Sequence, residues 1–183
     1  IPARGPISDP QARQMVHGYY AAVSYMDAQV GRVLEELDKL GLREKTVVIL
    51  WGDHGWQLGE HGLWCKHTNY ETSARAALIL ATPDRKAAGQ KTDALVEFVD
   101  VYPTLADLCG LPKPDGVEGT SFRPLLDDSK RPWKKAAFSQ YPRQIPQVGR
   151  AMGYSMRTDR YRLVEWAAPE KGFVEYELYD HQA

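Results

Sequence analysis

The chain has 183 residues, a formal net charge of -1, 43% hydrophobic residues and 26% charged residues. That balance describes an ordinary globular domain or a piece of a larger one, and it excludes a disordered chain. The near-neutral charge lacks the basic excess of a nucleic-acid surface, and no run of about 18 apolar residues offers a membrane span. The opening "IPARGPISDP" shows no charged-then-apolar leader pattern. Cys65 and Cys109 are the two cysteines, too few for a disulfide framework, so they leave the compartment open.

In chain order, Ser8, Asp9 and Pro10 open a helix, with Asp9 as the expected cap and Pro10 in the first turn. Apolar residues recur at helical spacing from Met15 to Leu40, and Gly41 is the natural stop. This predicts a helix of about 30 residues lying with its apolar stripe against a sheet. "TVVILW" (46–51) reads as a strand buried on both faces, hence a central parallel strand. "ARAALILATP" (74–83) and "DALVEFVD" (93–100) read as two more strands. Asp100 caps a following helix that Gly110 ends. After a Pro/Gly loop at 111–119 the character changes. "AAFSQY", "GYSMR", "YRLVEW" and "VEYELY" predict an antiparallel sheet, with a hairpin at Thr158, Asp159 and Arg160. The expectation is an α/β part over 1–125 and a small α+β part over 126–183.

The chemistry gathers in "WGDHGWQLGEHGLWCKH" (51–67), which holds three of the five histidines and three of the five tryptophans. Ligands of open α/β sheets collect beyond the carboxyl ends of strands, where Asp53 and His54 lie. Gly52 and Gly55 flank them and let the backbone turn, so that a carboxylate and an imidazole can converge. Two donors are half a metal site, since even zinc takes three or four ligands. The competing reading is a turn aspartate and a satisfied loop histidine. Lys66 is the cation of interest, placed to reach back to an anionic ligand. Taken singly, His61 and His67 read as surface or packing histidines, and Trp56 and Trp64 as wall or core. Cys65 has no activating neighbours and reads as structural.

With these residues on the page, "GDHGWQLGEHGLWCKH" resembles the sulfatases of the alkaline-phosphatase-like superfamily, nearest the iduronate-2-sulfatase group. The likeness runs along almost the whole chain. It includes "YYAAVSYMDAQVGRVLEELDKLGLREKTVVIL", "DALVEFVDVYPTLADLCGLPKP", "SQYPR", "MGYSMRTDRYRLVEW" and "YELYD". The resemblance implies part of an α/β/α sandwich followed by a small α+β subdomain with an antiparallel sheet. It implies that Asp53 and His54 are the second pair of calcium ligands, that Lys66 contacts the sulfate group, and that His67 touches the substrate. An Asp–His pair by itself favours zinc or manganese, because calcium prefers oxygen, so residues and resemblance pull apart over the metal. Glu71, Ser73 and Arg75 lie in a segment where the family often reads Arg-Val-Pro-Leu-Ile; here Ala77 replaces the proline.

The family's nucleophile is a formylglycine made from the Cys of a Cys-x-Pro-Ser-Arg motif, which this sequence lacks. The expectation is therefore the C-terminal part of a sulfatase, truncated at both ends and inactive without its N-terminal part. In the whole enzyme the resemblance implies attack on sulfur by the formylglycine hydrate, with calcium and Lys66 stabilising charge. The alternatives are a phosphatase or phosphonate hydrolase of the same superfamily, or a fragment that only binds. The expected substrate is a sulfated sugar or uronic acid, and the expected compartment is periplasmic, secreted or lysosomal. With neighbouring strands missing, 46–51 lies near an exposed edge, which predicts self-association unless the N-terminal part is present.

Overall fold

The computed structural model describes residues 7–84, 86–113 and 115–182. Residues 1–6, where no leader pattern was read, lie outside the described residues. Helix α1 runs Asp9–Lys39. Ser8, rather than Asp9, occupies the cap: its backbone N–H and its hydroxyl both point to Gln11 Oε1, at 3.3 and 2.9 Å. The C-terminus closes as a Schellman motif. Leu42 N–H donates to Leu37 O and Gly41 N–H to Asp38 O, with Gly41 at φ 65°.

The expected cover for α1 is absent among the described residues. No α1 residue is buried, and Tyr20, Tyr25, Met26 and Val33 stay exposed. Periodicity states which face needs burial; it does not provide the surface that buries it. The helix is held at Tyr19, whose ring stacks on Trp56 with centroids 5.9 Å apart.

The next elements are β1 (Val48–Trp51), β2 (Gln57–Leu58), β3 (Trp64–Cys65), α2 (Glu71–Ala74) and β4 (Leu78–Ala81). Strand β1 is not a parallel strand buried on both faces. It pairs antiparallel with β4, Val48 opposite Ala81 and Trp51 opposite Leu78, and these two strands form a sheet of their own. A β-branched apolar run reports an apolar environment, not the direction of its neighbour.

The third expected strand, 93–100, is replaced by a loop that ends in a 3-10 turn, Phe98–Asp100, leading into α3 (Val101–Leu108). Asp100 is the cause. Its carboxylate is fully buried and accepts from Glu97 N–H (2.9 Å), Thr120 N–H (2.7 Å) and Lys134 Nζ (2.7 and 2.8 Å). Donors from three separate segments converge on it and bend the chain out of a strand. Partial burial works to lower the Lys134 pKa, but hydrogen bonds and charge from Asp100 and Glu97 outweigh it and raise the ammonium above its ordinary value. Val96 and Ala94 of the same segment pack on a core of Val101, Phe122 and Leu125, together with Ile49, Leu80 and Trp133. Leu125 belongs to a short helix, α4 (Pro124–Asp127).

The C-terminal sheet forms as its alternation predicts. Strands β5 (Ala137–Ile145), β6 (Gly149–Arg157), β7 (Tyr161–Ala168) and β8 (Phe173–Asp180) make an antiparallel meander in sequence order. The turn at 158–160 is the expected hairpin, closed by Thr158 N–H on Tyr161 O at 2.8 Å. Pro142, which has no N–H to give a ladder, sits on edge strand β5. One face buries Ala151, Gly153, Ser155, Arg162, Val164 and Trp166. The other leaves Phe138, Tyr154, Val174, Tyr176 and Leu178 exposed.

Candidate active site

The loop after β1 is bent sharply and pinned by backbone contacts. Gly52 N–H donates to Ala77 O (2.9 Å) and Gly55 N–H to Ser73 O (2.8 Å). A Cβ on Gly55 would lie 2.0 Å from Thr72 O and 2.7 Å from Arg75 O, so only glycine fits there. Between these anchors Asp53 and His54 face the same space. His54 Nδ1 lies 2.7 Å from Gly55 O, which assigns the ring proton to Nδ1 and turns the Nε2 lone pair outward. Asp53 Oδ1 is 3.3 Å from that Nε2 and open to solvent, its side chain 83% exposed.

Strands β2 and β3 carry the chain out and back, pairing Gln57 with Cys65 and Leu58 with Trp64. Their connection needs left-handed backbone at Gly59, His61 and Gly62, and Cys65 is left-handed too (φ 76°). The excursion returns Lys66 to the start of the loop, where its Nζ lies 2.5 Å from His54 Nε2. With Nδ1 protonated, Lys66 donates and His54 accepts. Asp53, His54 and Lys66, singled out in the sequence, therefore meet.

The other histidines separate. His61 stacks on Tyr70, centroids 4.3 Å apart, and Tyr70 meets Tyr179 edge-on at 5.5 Å, so His61 is a packing residue of the hairpin tip. His67 is exposed and stacks on Tyr141 of β5 at 5.3 Å. Trp56 lies between Tyr19 and His54, with His54 at 6.1 Å, and forms a wall of the site. The Trp64 ring covers Gly59, and Cys65 is a free, half-buried thiol.

The roles of several supporting residues escaped the sequence reading, including Glu71 and Ser73, which it named without a role. Gln57 is fully buried and donates to Thr68 Oγ1 (2.8 Å) and Ser73 Oγ (3.0 Å), tying the segment after Lys66 to α2. Asn69 donates across to Tyr141 O and Gly153 O, both at 3.2 Å. Glu71 Oε2 accepts from Arg162 (2.7 Å) and Arg157 (3.1 Å), partners 91 and 86 residues away in sequence. No local spacing could reveal pairs so far apart. Arg75, by contrast, is exposed and 3.8 Å from Glu71.

Burial works to raise the Glu71 pKa, but hydrogen bonding and charge from Arg162, with Arg157, outweigh it and hold the carboxyl below its ordinary range. A depressed carboxyl gives stability that is full above its unfolded value and lost as pH falls through the lower folded value. The expected result is that acidification from the ordinary Glu range downward weakens the folded state more in the wild type than in Glu71→Gln. Urea midpoints measured as a function of pH check this, and parallel pH profiles would remove Glu71 from the acid response.

Asp53, His54, Lys66 and His67 lie on one end of an open cleft of about 2120 Å³, whose remaining wall includes the uncovered flank of β4. As a metal site the loop is partial. Among the described residues no group of three or more His, Cys, Asp or Glu converges. A carboxylate oxygen and the His54 Nε2 lone pair fit as two ligands of a metal whose other ligands come from elsewhere, once Lys66, which here holds that lone pair, swings from it to an anion.

The chain belongs to the sulfatase family: the sulfatase family model matches residues 3–111, and the model of N-sulphoglucosamine sulphohydrolase, C-terminal, matches residues 59–183. Its fold is that of the alkaline-phosphatase-like sulfatases. Mouse iduronate 2-sulfatase is 35% identical over 217 residues, covering 88% of this chain. N-acetylglucosamine-6-O-sulfatase of Bacteroides thetaiotaomicron is 32% identical over 174 residues, covering 93% of this chain. The chain spans 39% of the first relative's length and 31% of the second's. A solved structure in complex with its substrate D-glucosamine-2-N,6-O-disulfate superposes with TM-score 0.82 at 30% identity, over 94% of this chain and 35% of that one. A phosphonate monoester hydrolase from Silicibacter pomeroyi superposes with TM-score 0.70 at 30% identity, over 86% of this chain and 33% of that one.

Proposed function

We propose that this chain is the C-terminal part of an enzyme that hydrolyses sulfate esters on a sulfated sugar or uronic acid. The observation that carries the reading is the meeting of Lys66 Nζ with His54 Nε2 at 2.5 Å, beside Asp53, at the mouth of an open cleft. In this reading Asp53 and His54 are two ligands of a calcium ion, which supplies Lewis-acid polarisation when bound. The formylglycine nucleophile is supplied by sequence outside this chain. Lys66 donates hydrogen bonds to the sulfate oxygens as negative charge builds on them. His54 keeps its Nε2 free of a proton through Gly55 O, and Trp56 shields one flank. The sulfated glucosamine bound by the structural relative and the sulfatases among the sequence relatives support the substrate class. A periplasmic, secreted or lysosomal compartment fits the same reading, and among the described residues no helix is long and apolar enough to cross a membrane.

The likeness to a phosphonate monoester hydrolase keeps one second reading in view, hydrolysis of a phosphonate monoester by the same loop. The longer protein separates them. It is expected to turn over a sulfate ester faster than a phosphonate monoester, while the 183-residue chain alone turns over neither. The reverse preference would overturn the sulfatase reading. Turnover by the chain alone would overturn the external nucleophile.

A further inference from the structure

We infer that the edge of the C-terminal sheet carries a sugar-holding wall, in which Tyr141 of β5 and His67 form an aromatic platform for the pyranose ring that bears the sulfate. This rests on the proposed sulfatase reading and adds a substrate-binding residue, Tyr141, on the far side of the fold in sequence. His67 directly follows Lys66 and lines the same cleft. Its partner in the stack is Tyr141, with centroids 5.3 Å apart and planes 20° from parallel. Strand β5 has β6 on one side and no strand on the other among the described residues, so that edge opens onto the cleft. Ser139, Gln140 and Tyr141 line the cleft together with Lys66 and His67.

The platform is fixed to the loop rather than resting on it by chance. Asn69, three residues after Lys66, is buried and donates to both Tyr141 O and Gly153 O. A Cβ at Gly153 would lie 2.3 Å from Asn69 Nδ2, so the glycine leaves room for the amide to reach between β5 and β6. Arg162 in turn donates to Asn69 O at 3.1 Å, from a side chain that is itself buried. Tyr141 therefore keeps its position relative to Lys66 through hydrogen bonds, while its ring remains only half-buried. The part of the ring left uncovered offers a pyranose a surface to pack on. The sugar's axial C–H groups form an apolar face that packs on an aromatic ring, and its hydroxyls reach polar groups at the rim.

The test uses the longer protein, a sulfated glucosamine as substrate and inorganic sulfate as a ring-free competitor. Tyr141→Ala is expected to raise the KM for the saccharide roughly tenfold more than it raises the inhibition constant of inorganic sulfate, with a smaller change in kcat. Tyr141→Phe restores the KM, since the ring and not the hydroxyl is invoked. Tyr141→Leu keeps apolar bulk on the strand and gives the same KM shift where the alanine variant folds poorly. Equal shifts for saccharide and sulfate in both variants would overturn the platform and leave Tyr141 as packing, with the sulfatase reading intact. A wild-type protein that turns over no sulfate ester overturns that reading and the platform with it.

Discussion

Replacing Lys66 by alanine is expected to lower kcat for a sulfate ester by about a hundredfold or more in the full-length protein. The argument is positional. The β2–β3 excursion exists to bring residue 66 back to residue 54, and the contact it makes is a short one, Nζ to Nε2 at 2.5 Å. An ammonium held there faces any anion that Asp53 and His54 help to bind through a metal. Charge on sulfate oxygens grows as the ester bond breaks, and a fixed donor stabilises that growth more than it stabilises the ground state. The loss therefore falls mainly on kcat. Metal binding survives, because Lys66 is a neighbour of the ligands and not one of them. Lys66→Arg recovers only part of the rate, since a planar guanidinium fork does not reproduce a compact ammonium at the sulfate oxygens. Steady-state kinetics beside calcium titration by calorimetry check both halves. Unchanged turnover in Lys66→Ala would remove the lysine from the site.

The second large effect is structural. Asp100→Ala is expected to destabilise the fold by about 3–5 kcal/mol, the range for removing one partner of a buried ion pair. Asp100 is fully buried and takes four hydrogen bonds, from Glu97 N–H, Thr120 N–H and twice from Lys134. Its loss leaves two backbone donors without an acceptor and Lys134 with Glu97 as its remaining carboxylate at 2.8 Å. Unsatisfied buried donors are costly because they have lost water and gained nothing. The double variant Asp100→Ala/Lys134→Met costs less than the sum of the singles, as the ammonium is removed together with its counter-ion. Urea unfolding of the four proteins in the cycle measures this. Additive losses would mean that the pair does not act as a unit.

Local sequence rules disclosed local structure well. Ser8, Pro10 and Gly41 bracket the long helix, and alternation with Tyr and Trp disclosed the C-terminal strands and their hairpin at 158–160. The loop 51–67 announced its composition, and the structure brings Asp53, His54 and Lys66 into contact. What stayed hidden is non-local. The direction of β1 depends on which strand lies beside it, a fact outside its own four letters. Segment 93–100 is apolar enough for a strand, yet the charge of Lys134, 34 residues on from Asp100, reshapes it. The clamp of Glu71 with Arg157 and Arg162 reads in sequence as three ordinary surface charges.

That clamp has a kinetic corollary. Contacts between residues that lie 86 and 91 positions apart form late, since the intervening loop must close before they stabilise anything. The Lys66 turn is short, glycine-rich and left-handed at Cys65, and its own hydrogen bonds reach as far as α2 and Ala77. It gains its rigid backing from Asn69 and Glu71 only after β6 and β7 have been made and paired. During synthesis the Lys66 loop is thus complete in sequence long before it is complete in shape. A chain cut within β7 would carry every residue of the loop and still lack the template that sets it.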